Sequence, residues 1–246
     1  QLRLLMPLQY TNSQTALVGA TLSNMLKSLT SRGRIMTIWF MTTNQGKVEE
    51  AKQYFAGYGI EVKQFEFEAT EPQADDLEFV ALSKIEQAIP HLPNSDDMLL
   101  VEDAGLFVDA LNGFPGVYSS YVLNTLDVHG ILRLMDHLKS DDPIQDGNLR
   151  KAEFRAVAVL YKGGQTIVSE GVCPGRIAHQ AVTGDGFGFD PIFVPDNIEM
   201  DGKTTTTNGL TFADVDLRLK EQFSHRRKAL DGLIKSLSSS ETASSS

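Results

Sequence analysis

One short stretch constrains this chain more than any other. An apolar run, Met98-Leu-Leu-Val101, passes without a break into two carboxylates, Glu102 and Asp103, with Gly105 two residues on and a Gly113-Phe-Pro-Gly116 turn after that. The apolar run reads as a buried strand. Acids at the carboxyl end of such a strand stand where open α/β sheets place their ligands. A carboxylate there is costly unless a cation or a hydrogen-bond network compensates it. A divalent-cation site is therefore the first expectation for this segment.

The flanking pattern supports an α/β fold with a mixed sheet. Ile35 to Met41 reads as a buried strand, and Lys47 to Phe55 as a helix ended by Gly57 and Gly59. Glu61 to Glu68 alternates as a half-buried strand. Asp76 to Ile89 is an amphipathic helix with Leu77, Val80, Ala81, Ile85 and Ala88 on one face, stopped by Pro90 and Pro93. Leu106 to Leu111 is expected to pair with a neighbour. Val128 to Leu138 reads as a helix and Ser140 to Arg150 as a polar loop. Phe154 to Tyr161 and Thr166 to Val172 form a hairpin around Lys162-Gly-Gly164. A short strand is expected at Ile192 to Val194 and a last helical region at Leu217 to Leu237.

The chain has 246 residues, 41% of them hydrophobic, enough for one sizeable core or two lobes. Its formal net charge of −10 disfavours long nucleic acid as a partner. No apolar run approaches the ~20 residues needed to span a bilayer. The single cysteine, Cys173, excludes an internal disulfide, fits a reducing compartment and is read as a core thiol.

Residues 1–34 hold no Asp or Glu but contain Arg3, Lys27, Arg32 and Arg34 among many Ser and Thr. Two readings of an N-terminal extension, 1–35, stay open: an organellar transit peptide, or upstream translated sequence with the start at Met36. The opening Gln fits a processed or partial chain. The catalytic domain is expected over 36–238, and a disordered Ser-rich tail over 239–246.

Four clusters could carry chemistry. Thr42-Thr-Asn-Gln-Gly-Lys47 joins a strand to a helix, where backbone N–H groups and a lysine can cradle phosphate, although the P-loop spacing is absent. Glu71, Glu102 and Asp103 are hard oxygen donors suited to Mg²⁺, which takes one or two carboxylates plus phosphate oxygens and water. Gly184-Asp-Gly-Phe-Gly-Phe-Asp-Pro191 offers close backbone approach to a flat ligand, with Phe187 and Phe189 as stacking rings. One of those two rings is expected to be a core anchor. Lys220 to Lys228 carries Ser224 as an N-cap restarting a helix, with His225 and Arg226 in its first turn. His91, His129, His137 and His179 have no partner pattern and read as surface or packing residues.

Each cluster also has a plain reading: a turn, a strand-end acid, a structural loop, a solvated basic helix face. Their order is more specific. Thr42-Thr-Asn-x-x-Lys47, Glu71, Glu102-Asp-x-Gly-Leu106, Gly-Phe-Pro-Gly-Val-Tyr118, Gly-Phe-Gly-Phe-Asp-Pro191 and Lys220-x-x-x-Ser-His-Arg226 resemble the Ham1-like inosine triphosphate pyrophosphatases over Met36 to Leu237. The Ser-Ser-Tyr after Tyr118 is most similar to the archaeal branch.

The resemblance implies an elongated mixed sheet with flanking helices, two lobes around a central cleft, and a homodimer. It implies Mg²⁺-dependent hydrolysis of ITP, dITP and XTP to the monophosphate and pyrophosphate, cleaning the nucleotide pool, in the cytoplasm unless residues 1–34 target an organelle. The ligand is a small nucleoside triphosphate; nucleic acid and membrane are not implied as partners. Carried over by motif, Thr42, Thr43, Asn44 and Lys47 hold the triphosphate, Glu71 and Asp103 the metal, and Glu102 or Asp103 activates water. Phe187, Gly188, Phe189 and Asp190 enclose the base with His225 and Arg226, and Lys220 assists with phosphate or base. Some positions depart from the family pattern: Ala104 replaces a Ser, Thr or Cys, Phe189 replaces a Tyr or Trp, Ala213-Asp214 replaces Ala-Glu, and Ser120-Tyr121 replaces the Ala-Arg of many bacterial members. Two competitors are a Maf-like nucleotide pyrophosphatase, expected to lack Ser224-His-Arg226, and an inert nucleotide-binding regulator, which pyrophosphate release would exclude.

Overall fold

The computed structural model describes residues 37–94, 97–184 and 186–243, with side chains described up to 237. The readings of 1–35 lie outside these residues. Six strands form one sheet in the order β2-β1-β3-β4-β5-β6: β1 Thr37–Met41, β2 Glu61–Phe65, β3 Met98–Val108, β4 Lys151–Lys162, β5 Gln165–Ile177 and β6 Phe193–Pro195. β1 runs parallel to both β2 and β3, and every later pairing is antiparallel. The sheet is therefore mixed, as the alternating pattern predicts. A separate two-stranded hairpin, β7 Ile198–Met200 with β8 Lys203–Thr205, is one the sequence pattern did not announce.

Helix α1 (Gln45–Ala56) starts where Asn44 Oδ1 accepts from the Lys47 N–H at 3.2 Å. Helix α2 (Leu77–Ala88) is capped by Asp76, whose Oδ1 accepts from the N–H groups of Glu78 and Phe79. Both caps satisfy amides that have no partner inside the helix. Helix α3 (Ser119–Leu134) begins well before the expected Val128. It kinks at Asp127, where φ is 58° and ψ 178°. The expected loop at 140–150 contains a helix, α4 (Pro143–Leu149), capped by Asp142 and opened by a proline in its first turn. The last helical region is two helices, α5 (Leu217–Phe223) and α6 (His225–Ala243), broken at Ser224. Ser224 Oγ accepts from the Arg227 N–H at 3.1 Å, the expected restart. Helix α6 reaches Ala243, inside the segment read above as a disordered tail.

β3 corrects one expectation. It does not end at Val101 but continues to Val108, and Leu106 to Val108 pair with a neighbour, β4, as part of the same strand. Parallel pairing with β1 stops at Met41 opposite Val101, whereas antiparallel pairing with β4 continues to Val108. Glu102 and Asp103 thus lie mid-strand, and what ends beside them is β1. From there on, the β1-facing edge of β3 borders an opening.

Three apolar clusters place that opening. Met98 and Leu100 point to the face covered by α1 and α6, with Ala156, Ala158 and Leu160 of β4. Leu99 and Val101 point to the opposite face under α2, with Val157 and Val159. Farther along, Leu106, Val108, Ala152, Phe154, Cys173 and Ile177 join a third cluster with Phe193, Phe212 and Phe223. Residues 102–105 sit at the seam between these cores. That seam separates two lobes sharing strands β3 to β5. No described helix is long and apolar enough to cross a membrane.

Candidate active site

The seam opens into a cleft of about 780 Å³, within the range of small-molecule pockets. All the candidate site residues line it: Thr42, Thr43, Asn44, Lys47, Glu71, Glu102, Asp103, Ala104, Phe187, Gly188, Phe189, Asp190, Lys220, His225 and Arg226. They come from six places in the chain, brought together by the end of β1 and the break between α5 and α6.

Strand alternation sends the two adjacent carboxylates to opposite faces. Glu102 faces α1 and α6. Its Oε2 is 2.7 Å from Lys47 Nζ and its Oε1 is 3.3 Å from Arg226 Nε. The Glu102 side chain is fully buried. Burial pushes its acidity down in strength, but Arg226 and then Lys47 outweigh this and hold the carboxyl at about 2. Arg226 is paired in turn with Glu50 of α1; burial opposes its charge, and Glu102 and Glu50 more than restore it.

Asp103 faces α2. Its Oδ2 is 3.1 Å from Lys84 Nζ, which also lies 2.5 Å from Glu71 Oε1. Burial disfavours the Lys84 charge, but Asp103 and Glu71 reverse this and raise its pKa. Lys84 was not singled out from the sequence. The available signal was its position: it follows Val80 and Ala81 by four and three residues, on the edge of the apolar stripe of α2, where a lysine is out of place unless paired. Glu50 was missed likewise; it stands one turn after Lys47 on α1.

The other wall is aromatic. Phe189 is 4% exposed and packs in the third cluster, while Phe187 is 57% exposed. The structure thus makes Phe189 the core anchor and leaves Phe187 free for a ligand. Lys220 Nζ sits 4.5 Å from the Phe187 ring centre and 2.6 Å from Asp190 Oδ2. Asp190 Oδ2 also accepts from the Phe187 N–H at 3.0 Å, which pins the loop. Burial raises the Asp190 pKa, against the pull of Lys220. His225 stacks on Phe154 with ring centres 5.1 Å apart. Its Nδ1 is buried without a hydrogen-bond partner. Burial, then Arg226, press its pKa down to about 3 against the pull of Glu102, so the imidazole is neutral at pH 7.

Close approach requires glycine at two positions that seat the site. A Cβ at Gly105 would stand 2.3 Å from the Gly116 carbonyl oxygen, so the Gly113–Gly116 turn can seat against β3 only there. A Cβ at Gly171 would meet the His225 carbonyl oxygen at 2.0 Å, which lets the start of α6 lie directly on β5. Ala104 lines the cleft between Asp103 and Gly105 and offers no hydroxyl. Cys173 is buried and its thiol pushed up to about 12 by burial, as expected for a core thiol. His179 departs from the sequence reading by pairing with Asp146 at 2.9 Å, away from the cleft.

The two-lobed α/β fold gathers lysines, an arginine and acids beside an exposed ring at its seam, a set of groups chemically suited to a small polyanion bearing a flat ring. The chain belongs to the Ham1 family, whose model matches residues 38–236. It is 37% identical over 198 residues to a dITP/XTP pyrophosphatase of Pyrococcus horikoshii, covering 79% of this chain and 93% of that protein. It is 39% identical over 195 residues to a dITP/XTP pyrophosphatase of Thermococcus kodakarensis, covering 79% and 94%. Among solved structures, the Ham1 protein of Staphylococcus aureus superposes with a TM-score of 0.64 at 29% identity, over 83% of this chain and 99% of that one.

Proposed function

We propose that this chain is a Mg²⁺-dependent pyrophosphatase acting on dITP, XTP and ITP, releasing the nucleoside monophosphate and pyrophosphate. The observation that carries the reading is the shared cleft: Glu71, Asp103, Lys84 and Lys47 at one end, Phe187, Asp190, Lys220 and His225 at the other. The dITP/XTP activity in the names of relatives at 37–39% identity supports the same substrates.

The donors fit the metal. Glu71 and Asp103 already converge on one cationic atom, Lys84 Nζ. Both present hard carboxylate oxygens, and no described group of three His, Cys, Asp or Glu residues could hold an ion by itself. Phosphate oxygens and water would complete such a shell. Mg²⁺ bound there supplies charge neutralisation on the transferring phosphates.

The protein's own groups divide the remaining work. Lys47, at the start of α1, and Lys84 bind phosphate oxygens as point charges. Water attacks the α-phosphorus, the bond to the bridging oxygen breaks, and pyrophosphate leaves. Asp103, partly exposed at 20%, receives the water proton. Glu102 is unsuited to that role: two cations already flank its carboxylate and hold its carboxyl at about 2, too weak a base. It anchors Lys47 and Arg226 instead. The base stacks on Phe187, and the neutral His225 meets the purine edge. A 6-keto oxygen meets donors that adenine's amino group would leave unpaired, a penalty of about 1–3 kcal/mol each.

Pyrophosphate release with Mg²⁺ is the direct test, run on dITP, ITP, XTP, ATP and GTP. Release from dITP and XTP well above ATP is expected, with Asp103→Asn lowering it by about 10²-fold or more while the fold by circular dichroism is kept. No release from any of the five would remove the enzymatic reading, and equal rates for ATP and ITP would remove the selectivity.

A further inference from the structure

Lys84 occupies the point where the two metal-binding carboxylates converge. Its Nζ contacts Glu71 Oε1 at 2.5 Å and Asp103 Oδ2 at 3.1 Å, and its side chain is only 14% exposed. An ammonium and a divalent cation cannot share that position, since like charges a few ångströms apart at a protein surface repel by several kcal/mol. The neighbours on α2, Ala81 and Ile85, are wholly buried, so the helix is fixed and only the flexible lysine stem is free to swing. With two carboxylates and no third His, Cys, Asp or Glu beside them among the described residues, the ion also draws on phosphate oxygens to complete its shell. Both needs are met by one event: an incoming triphosphate offers oxygens to the ion and a new anionic partner to the lysine.

We infer that Lys84 is a built-in counter-ion that plugs the cation position in the nucleotide-free protein and moves to phosphate when the substrate enters, so that divalent cation binds tightly only together with nucleotide. The inference rests on the pyrophosphatase reading of the cleft. It makes Lys84 a device that couples the two ligands, in addition to any contact it makes with substrate.

The test is Mn²⁺ binding to nucleotide-free protein, followed by the paramagnetic resonance signal of free Mn²⁺. Wild type is compared with Lys84→Met, Lys84→Arg and Lys84→Met combined with Glu71→Gln. The expected result is binding about tenfold tighter or more in Lys84→Met than in wild type, no gain in Lys84→Arg, and loss of the gain when Glu71→Gln is added. Equal Mn²⁺ affinity in wild type and Lys84→Met, or a gain that survives Glu71→Gln, overturns the plug. Lys84→Gln serves the same arm if the Met variant does not fold. Pyrophosphate release from dITP by wild type separates the two failures: without it the functional reading falls, and with it an equal Mn²⁺ affinity defeats the plug alone.

Discussion

Glu102 and Asp103 are adjacent in the chain yet serve cations on opposite faces of the sheet, Glu102 with Lys47 and Arg226, Asp103 with Lys84. They reach one cleft because β1 ends beside them and the cleft wraps around its end. The Lys47 contact compensates the fully buried Glu102 carboxylate, and its loss should be felt twice. Lys47→Met leaves a buried carboxylate with Arg226 alone, which should cost about 1–3 kcal/mol in urea unfolding. It should also cut pyrophosphate release by about 10²-fold or more if Lys47 holds the phosphates as proposed, since that fixed charge is gone. Unchanged stability would mean the pair is not formed in solution.

The two phenylalanines of the Gly-rich loop should separate cleanly. Phe189→Ala removes a ring from the core and should destabilise by about 3–5 kcal/mol. Phe187→Ala removes an exposed ring and should change stability by less than about 0.5 kcal/mol, while raising KM for dITP several-fold. Comparable stability losses in both would contradict the assigned roles.

Gly171 lies outside the cleft lining and makes no contact a ligand could use, but α6 rests on it. Gly171→Ala forces a Cβ against the His225 carbonyl oxygen and the Ala229 amide. The start of α6 must shift, carrying His225 and Arg226 with it. The expected loss is about 1–3 kcal/mol from overpacking, together with a higher KM. A wild-type KM would show that the base-binding end tolerates that shift.

Acid should weaken the fold through His225 before it reaches Glu102. The folded His225 refuses a proton down to about pH 3, whereas the unfolded one takes it up near 6.5. Its contribution is therefore full above pH 6.5 and lost as pH falls toward 3. The Glu102 contribution is present above about 4.5 and lost as pH falls toward 2. Between pH 6.5 and 4.5 the wild-type melting temperature should drop more than that of His225→Phe, which keeps the stack on Phe154 without the titrating group. Parallel curves for the two proteins in that window would refute the assignment.

The sequence by itself determined the sheet-forming runs, the cap at Ser224, and the order of motifs that identifies the family. These depend on neighbours a few residues apart, where side-chain period and capping chemistry act locally. Only the tertiary structure decided that β3 runs through Glu102 and Asp103, because a strand's length is set by its partners: β1 stops while β4 continues. It alone brought Lys84 between Glu71 and Asp103, seated Phe189 in the core and left Phe187 in the cleft. It also set α6 on Gly171. These outcomes depend on pairing across many residues of chain, and on which face of a strand or helix meets the core, so no local spacing could specify them.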